Sequence, residues 1–95
     1  MTKIPSFVEV IGGDAFCGNN HIVDITIPAT VKKISYAAFA SCDNLRNVII
    51  EGNGLTTVES RAFQTTKLIS LNIPASVTSF SYDAFDWAEI ILVVC

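Results

Sequence analysis

The apolar residues of this chain return in a fixed pattern every 22 to 24 positions. The dipeptide Ala-Phe stands at Ala15-Phe16, Ala38-Phe39, Ala62-Phe63 and Ala84-Phe85, in steps of 23, 24 and 22 residues. Four positions before each Ala is a bulky apolar residue (Ile11, Ile34, Val58, Phe80), and seven before it another (Val8, Val31, Leu55, Val77). Ile-Pro opens three copies, at Ile4-Pro5, Ile27-Pro28 and Ile73-Pro74. Self-similarity at such a period marks a stack of equivalent turns, each too small to bury its own apolar face.

Downstream of each Phe the order apolar-x-x-apolar-x-apolar recurs: Ile22, Ile25, Ile27; Leu45, Val48, Ile50; Leu68, Leu71, Ile73; Ile90, Val93, Cys95. The closing alternation has the period of two that belongs to a half-buried strand, with Ile25 and Ile27 inward and Asp24 and Thr26 outward. Parallel strands are therefore expected near 22–27, 45–50, 68–73 and 90–95. Proline lacks an N–H for the ladder and ends the strand before it. In the third copy Ile50-Glu51-Gly52-Asn53-Gly54 replaces Ile-Pro and accounts for the longer step, with both glycines expected to turn the chain through positive φ. The segments around Ala-Phe lack alternation and are expected to form short helical or 3-10 turns. Four phenylalanines at one repeat position are expected to stack as a buried column, each ring covering ~150–250 Å². The predicted fold is a single-domain, β-rich solenoid of about four turns over residues 1–95.

Composition narrows the function. The chain is 51% hydrophobic and 16% charged, which places it among folding sequences. Its net charge is -3, and the six Lys and Arg are scattered, so no basic stripe is present to follow a phosphate backbone and nucleic acid is not an expected partner. The longest apolar run, Ile90 to Cys95, is far short of the roughly 20 residues of a spanning helix. Pro5, Ser6 and Glu9 interrupt the first eleven residues, so they do not read as a secretory signal. Cys17, Cys42 and Cys95 form an odd set without Cys-x-x-Cys spacing and read as reduced thiols.

Candidate chemistry is sparse. His21 has no ligand at metal spacing and reads as a solvated side chain. Cys42 has no pattern of cationic neighbours and reads as a core thiol. Asp83, Asp86 and Glu89 lack the glycine and the regular oxygen spacing of a calcium loop, and Gly12-Gly13 lacks the strand-turn-helix frame of a phosphate loop. No Ser/His/Asp set can be assembled. The expectation is a protein without catalytic, metal or cofactor residues.

These positions together resemble the BspA-type leucine-rich repeat, a unit of the form Leu-x-x-Ile-x-Ile-Pro-x-Ser-Val-x-x-Ile-x-x-x-Ala-Phe-x-x-Cys-x-x-Leu. Residues Leu68 to Phe85 and Ile22 to Leu45 follow it closely, the latter with Cys42 at the cysteine position. The resemblance implies a leucine-rich-repeat solenoid with a binding role, adhesin-like, as in surface proteins of host-associated microbes. The chain departs from the general repeat in two places. Phe7, Thr30 and Ser76 stand where an asparagine ladder would be, and Asn19 and Thr66 replace the cysteine in other copies. The last turn, Asp86-Trp87-Ala88-Glu89, is shortened and is expected to act as a cap.

In such a stack the outward strand positions line up on the concave face. Asp24, Thr26, Asn47, Ile49, Ser70 and Asn72 are the expected contacts for a protein or glycan partner. The apolar strand Ile90 to Cys95 has no charge or proline to blunt its edge, so Leu92 and Val94 are expected at a self-association surface, with a homodimer through that strand as one outcome. Two other readings stay open: a structural segment of a longer array, and a small free-standing intracellular inhibitor. A segment implies the cell surface, a free-standing chain the cytoplasm.

Overall fold

The computed structural model describes residues 2–68, 70–86 and 92–94, with the side chains of 2, 70 and 92–94 excepted. Among the described residues, nine short strands alternate between two sides of the stack. β1 (Thr2–Lys3), β3 (Asp24–Ile27), β5 (Asn47–Ile50), β7 (Ser70–Asn72) and β9 (Leu92–Val94) form one side. β2 (Val10–Ile11), β4 (Lys33–Ile34), β6 (Thr57–Val58) and β8 (Ser79–Phe80) form the other. Every pairing is parallel and links neighbouring turns: β1-β3-β5 and β7-β9 on the first side, β2-β4-β6-β8 on the second. β7 packs against β5, so the first side continues from end to end. The register is one repeat: Asp24 faces Asn47, Ile25 faces Val48, Thr26 faces Ile49 and Ile27 faces Ile50.

The core lies between the two sides. Ile25, Ile27, Val31, Ile34, Leu45, Leu55, Val58 and Leu68 are almost fully buried and belong to one continuous apolar cluster. The phenylalanine column forms as expected. Phe16, Phe39, Phe63 and Phe85 stack in sequence with ring centroids 5.2, 5.4 and 5.6 Å apart and interplanar angles of 6°, 2° and 13°. Phe39 and Phe63 are wholly enclosed, and the rings at the two ends are half-buried. Ala38, Ala62 and Ala84 are fully buried, and the backbones of adjacent turns meet at the Ala-Phe positions. Phe16 N–H donates to the Ala38 carbonyl at 2.7 Å, Phe39 N–H to that of Ala62 at 2.8 Å, and Phe63 N–H to that of Ala84 at 2.8 Å.

The structure corrects three expectations. Of the five strands of the first side, the four that were expected, β3, β5, β7 and β9, are shorter than the apolar pattern suggested, and Ile22, Leu45 and Leu68 are buried as anchors ahead of the ladders. The second sheet was not anticipated, because its strands are two residues long and cannot display an alternation. The Ala-Phe segments are turns, and the described residues contain no helix. Their backbone carries left-handed residues at two repeat positions: Asp14, Ala37 and Arg61 at one, Gly18, Ser41 and Thr65 at the other, with φ between 54° and 75°. Residues at positive φ interrupt helical dihedrals, so the amides alternate. In the second turn, Ala38 N–H donates three residues back to Ser35, and its neighbour Phe39 N–H donates to the next turn.

Proline closes strands as read. Val8, Val31 and Val77 N–H donate to the carbonyls of Pro5, Pro28 and Pro74, each at 3.1 Å, and so reverse the chain directly after the strand. In the third copy Gly52 does sit at φ 64°. Gly54 serves differently: a Cβ there would overlap the Ala29 carbonyl, so glycine is needed for close approach of two turns.

Candidate binding surface

The outward row of the first sheet begins at Lys3, which pairs in register with Thr26, and Thr26 with Ile49. A second column places Asp24 opposite Asn47. Asn47 Nδ2 donates to Asp24 Oδ1 at 2.7 Å, so these two side chains are fixed to each other across the strands. Asn47 and Asn72 are exposed, and Asp24 is half-buried. Ile49 leaves 46% of its surface open. Thr26 shares this face but is only 5% exposed, a short side chain between the longer Lys3 and Ile49. Ser70 takes its place on β7, its side chain lying outside the described residues. The backbone of Leu92 and Val94 pairs in register with Ser70 and Asn72, and the side chains on which the expected self-association depends also lie outside the described residues.

A second surface escaped the sequence reading. Around the outer side of β6 and β8, Tyr36, Thr57, Glu59, Ser60, Ser79 and Phe80 border an open depression of about 320 Å³. Its rim is cross-linked between turns. Glu59 accepts from the Tyr36 amide at 3.1 Å and pairs with Lys33 at 3.5 Å. Arg61 donates to the Tyr36 hydroxyl at 3.1 Å, with its guanidinium 6.0 Å from that ring. Ser60 donates to Asp83 at 2.7 Å, and Ser81 makes a short bond to the same carboxylate. These two hydroxyls hold the Asp83 carboxyl below its usual range. The signal available in the sequence was that Tyr36 and Tyr82 occupy one repeat position with small Ser60 between them. Tyr82 is almost wholly exposed.

The remaining candidates are placed plainly. His21 is exposed, its amide donating to Asn19 Oδ1 at 2.9 Å. Cys42 is buried, and its thiol donates to the Phe16 carbonyl at 3.1 Å. Burial pushes that thiol up to about 11, the nearby Cys17 and Asp43 adding in the same direction against the amide of Asn19. A thiol so held is a poor nucleophile and a poor metal ligand. Cys17 is free and exposed. Among the described residues no three His, Cys, Asp or Glu side chains gather where they could hold a metal ion. Among the same residues no helix is long and apolar enough to cross a membrane.

Comparison with known proteins agrees with the repeat. The model of the BspA type leucine rich repeat region, described with six copies, matches residues 1–91. A leucine-rich repeat protein from Bacteroides capillosus is 31% identical, with a TM-score of 0.84 over 98% of this chain and 74% of that one. A leucine-rich repeat protein from Bacteroides ovatus is 30% identical, with a TM-score of 0.86 over 98% of this chain and 24% of that one. A leucine rich cell surface protein from Faecalibacterium prausnitzii, 24% identical, has a TM-score of 0.75 over 98% of this chain and 32% of that one. The chain thus spans about three quarters of the first of these proteins and a third or less of the other two. The search of curated proteins finds no match.

Proposed function

Since the chain belongs to the BspA-type leucine-rich-repeat family, we propose that it is a binding module that engages a protein or glycan through the outer row of its first sheet. The observation that carries this reading is the row itself: Asp24 and Asn47 joined at 2.7 Å and, with the open Ile49, on strands in fixed register, with an exposed Asn72 on the strand packed beside them. Neighbouring strands lie ~4.8 Å apart, so the row offers donors, acceptors and one apolar contact at set spacing. Side chains already ordered before contact lose little entropy on binding. The partner contacts are Asp24, Asn47, Ile49, Ser70 and Asn72. Thr26 supports its neighbours and offers little surface of its own. An adhesin-like role at a cell surface follows from the family resemblance.

The test uses the double variant Asn47→Arg, Asn72→Arg against defined ligands, a panel of immobilised host surface proteins and a glycan array. Binding weakened at least tenfold supports the assignment, and the ligand class that responds tells protein from glycan. A double variant that binds as the parent does, while Tyr36→Ala abolishes binding, would move the site to the depression over β6 and β8.

A further inference from the structure

The loop that replaces Ile-Pro in the third copy, Glu51-Gly52-Asn53-Gly54-Leu55, is tied at both ends and free between them. Glu51 N–H donates to the Ile27 carbonyl and Thr56 N–H to that of Lys32, each at 2.9 Å. Among the described residues none of the amides from Gly52 to Leu55 meets an acceptor. The Asn53 side chain is exposed and, among the same residues, has no hydrogen-bond partner.

The residue after Asn53 is set by packing against the second turn. A Cβ at Gly54 would overlap the Ala29 carbonyl, and one at Gly52, which stands at φ 64°, would lie 2.7 Å from the Ala29 Cβ. Only glycine fits at 54, so the fold leaves no side chain to keep the Asn53 amide carbon away from the Gly54 nitrogen. Other asparagines are held differently. Asn44 Nδ2 donates to the Asn20 carbonyl and Asn47 Nδ2 to Asp24 Oδ1, both at 2.7 Å, and the residues that follow them are the bulky Leu45 and Val48. Asn19 Oδ1 accepts from the His21 amide at 2.9 Å, which occupies the amide that follows Asn20.

We infer that Asn53 is a modification site at which the folded chain deamidates by itself, promoted by base. The Gly54 nitrogen, its proton removed by hydroxide, attacks the Asn53 Cγ. The new C–N bond closes a five-membered imide, the Cγ–Nδ2 bond breaks, and ammonia leaves with a proton from water. Water then opens the ring. Opening at the side-chain carbonyl gives aspartate, and opening at the main-chain carbonyl gives isoaspartate, so the sum is one water consumed and one ammonia released. Either product puts a new negative charge two residues from Glu51. Isoaspartate also lengthens the main chain by one methylene, in a segment tied at Glu51 and Thr56 and walled by Ala29, and so loosens the junction of the second and third turns.

The experiment incubates the folded 95-residue chain at mildly alkaline pH and follows each asparagine by peptide mass spectrometry. Asn53 should convert at least tenfold faster than Asn44 or Asn47, at a rate close to that in the urea-unfolded chain. Hydroxylamine, which attacks the same imide, should cut the folded chain after residue 53. Asn53→Gln, an exposed substitution whose ring closure would need six members, should abolish both conversion and cutting. The isolated isoaspartate form should unfold at a lower urea concentration than the unconverted chain. Conversion of Asn53 no faster than that of Asn44 and Asn47 in the folded chain, with ready conversion in urea, would overturn the site. Cutting of Asn53→Gln at the same place would overturn the imide, and equal urea midpoints would overturn the loosened junction.

Discussion

Ala15-Phe16 and Ala38-Phe39 are the same dipeptide at the same repeat position, and they live in different surroundings. Phe39 has a ring on each face and is wholly buried; Phe16 has one stacked neighbour and is half-buried. Ala38 is enclosed and Ala15 is open. Nothing in the local sequence separates the two. What separates them is the number of neighbouring turns, so the stability of a turn here belongs to its junctions more than to its residues.

The largest effect expected from this contrast is at Phe39. Phe39→Ala empties space between two stacked rings and should remove ~3–5 kcal/mol in chemical denaturation, a large share of the ~5–15 kcal/mol typical of a domain. A loss under ~1 kcal/mol would show that the column does not carry the fold. Next comes Cys42, which sits under the Phe16 carbonyl and couples the first junction to pH. Its thiol keeps the proton up to about 11 in the folded chain against 9.0 for the ordinary group. The unfolded chain therefore releases that proton first. Stability from this group is complete below about pH 9 and declines as pH rises from there to about 11, by roughly 2–3 kcal/mol in all. Denaturation midpoints of the parent and Cys42→Ala along that range should converge, and parallel curves would break the link.

Phe16→Ala sharpens the comparison directly. With one covered face instead of two, it should lose roughly 1–2 kcal/mol, below the ~3–5 kcal/mol at Phe39. Equal losses at the two sites would mean that burial by a second neighbour contributes nothing. The smallest effect is expected on the outer row, where Asn47→Arg with Asn72→Arg should shift stability by no more than ~0.5 kcal/mol, since neither side chain enters the core. A large loss there would turn an interaction surface into a structural one.

Much of this was legible beforehand. The repeat, the strand register and the aromatic column follow from apolar spacing alone, because each position must find its equivalent one turn away. The outer row was also legible, as alternation assigns Asp24, Asn47, Ile49 and Asn72 to one face. Other features were hidden for physical reasons. A two-residue strand such as Lys33–Ile34 has no period to read. The depression beside Tyr36 is assembled from three turns by contacts such as Arg61 to the Tyr36 hydroxyl, which no stretch of sequence contains. The burial of Thr26 depends on the lengths of its neighbours across the sheet, Lys3 and Ile49, rather than on its own alternation. Gly54 was taken for a bend, and only the approach of Ala29 reveals why a side chain is excluded.

The left-handed residues of the turns have a consequence for how the chain reaches this structure. Asp14, Ala37, Ser41, Arg61 and Thr65 each hold a backbone shape that a side chain disfavours, by ~1–2 kcal/mol in a helical setting. A lone turn has no reason to keep it. The shape is held by the amides it aligns toward the next turn, so a turn becomes favourable only once an adjoining one is present to receive it. Folding is therefore expected to start with a pair, and the second and third turns, enclosed on both sides, are the place for it. From that pair the order spreads outward by templating, each completed turn lowering the barrier for the one beside it. The chain is built like a zipper whose first tooth is expensive and whose ends close last.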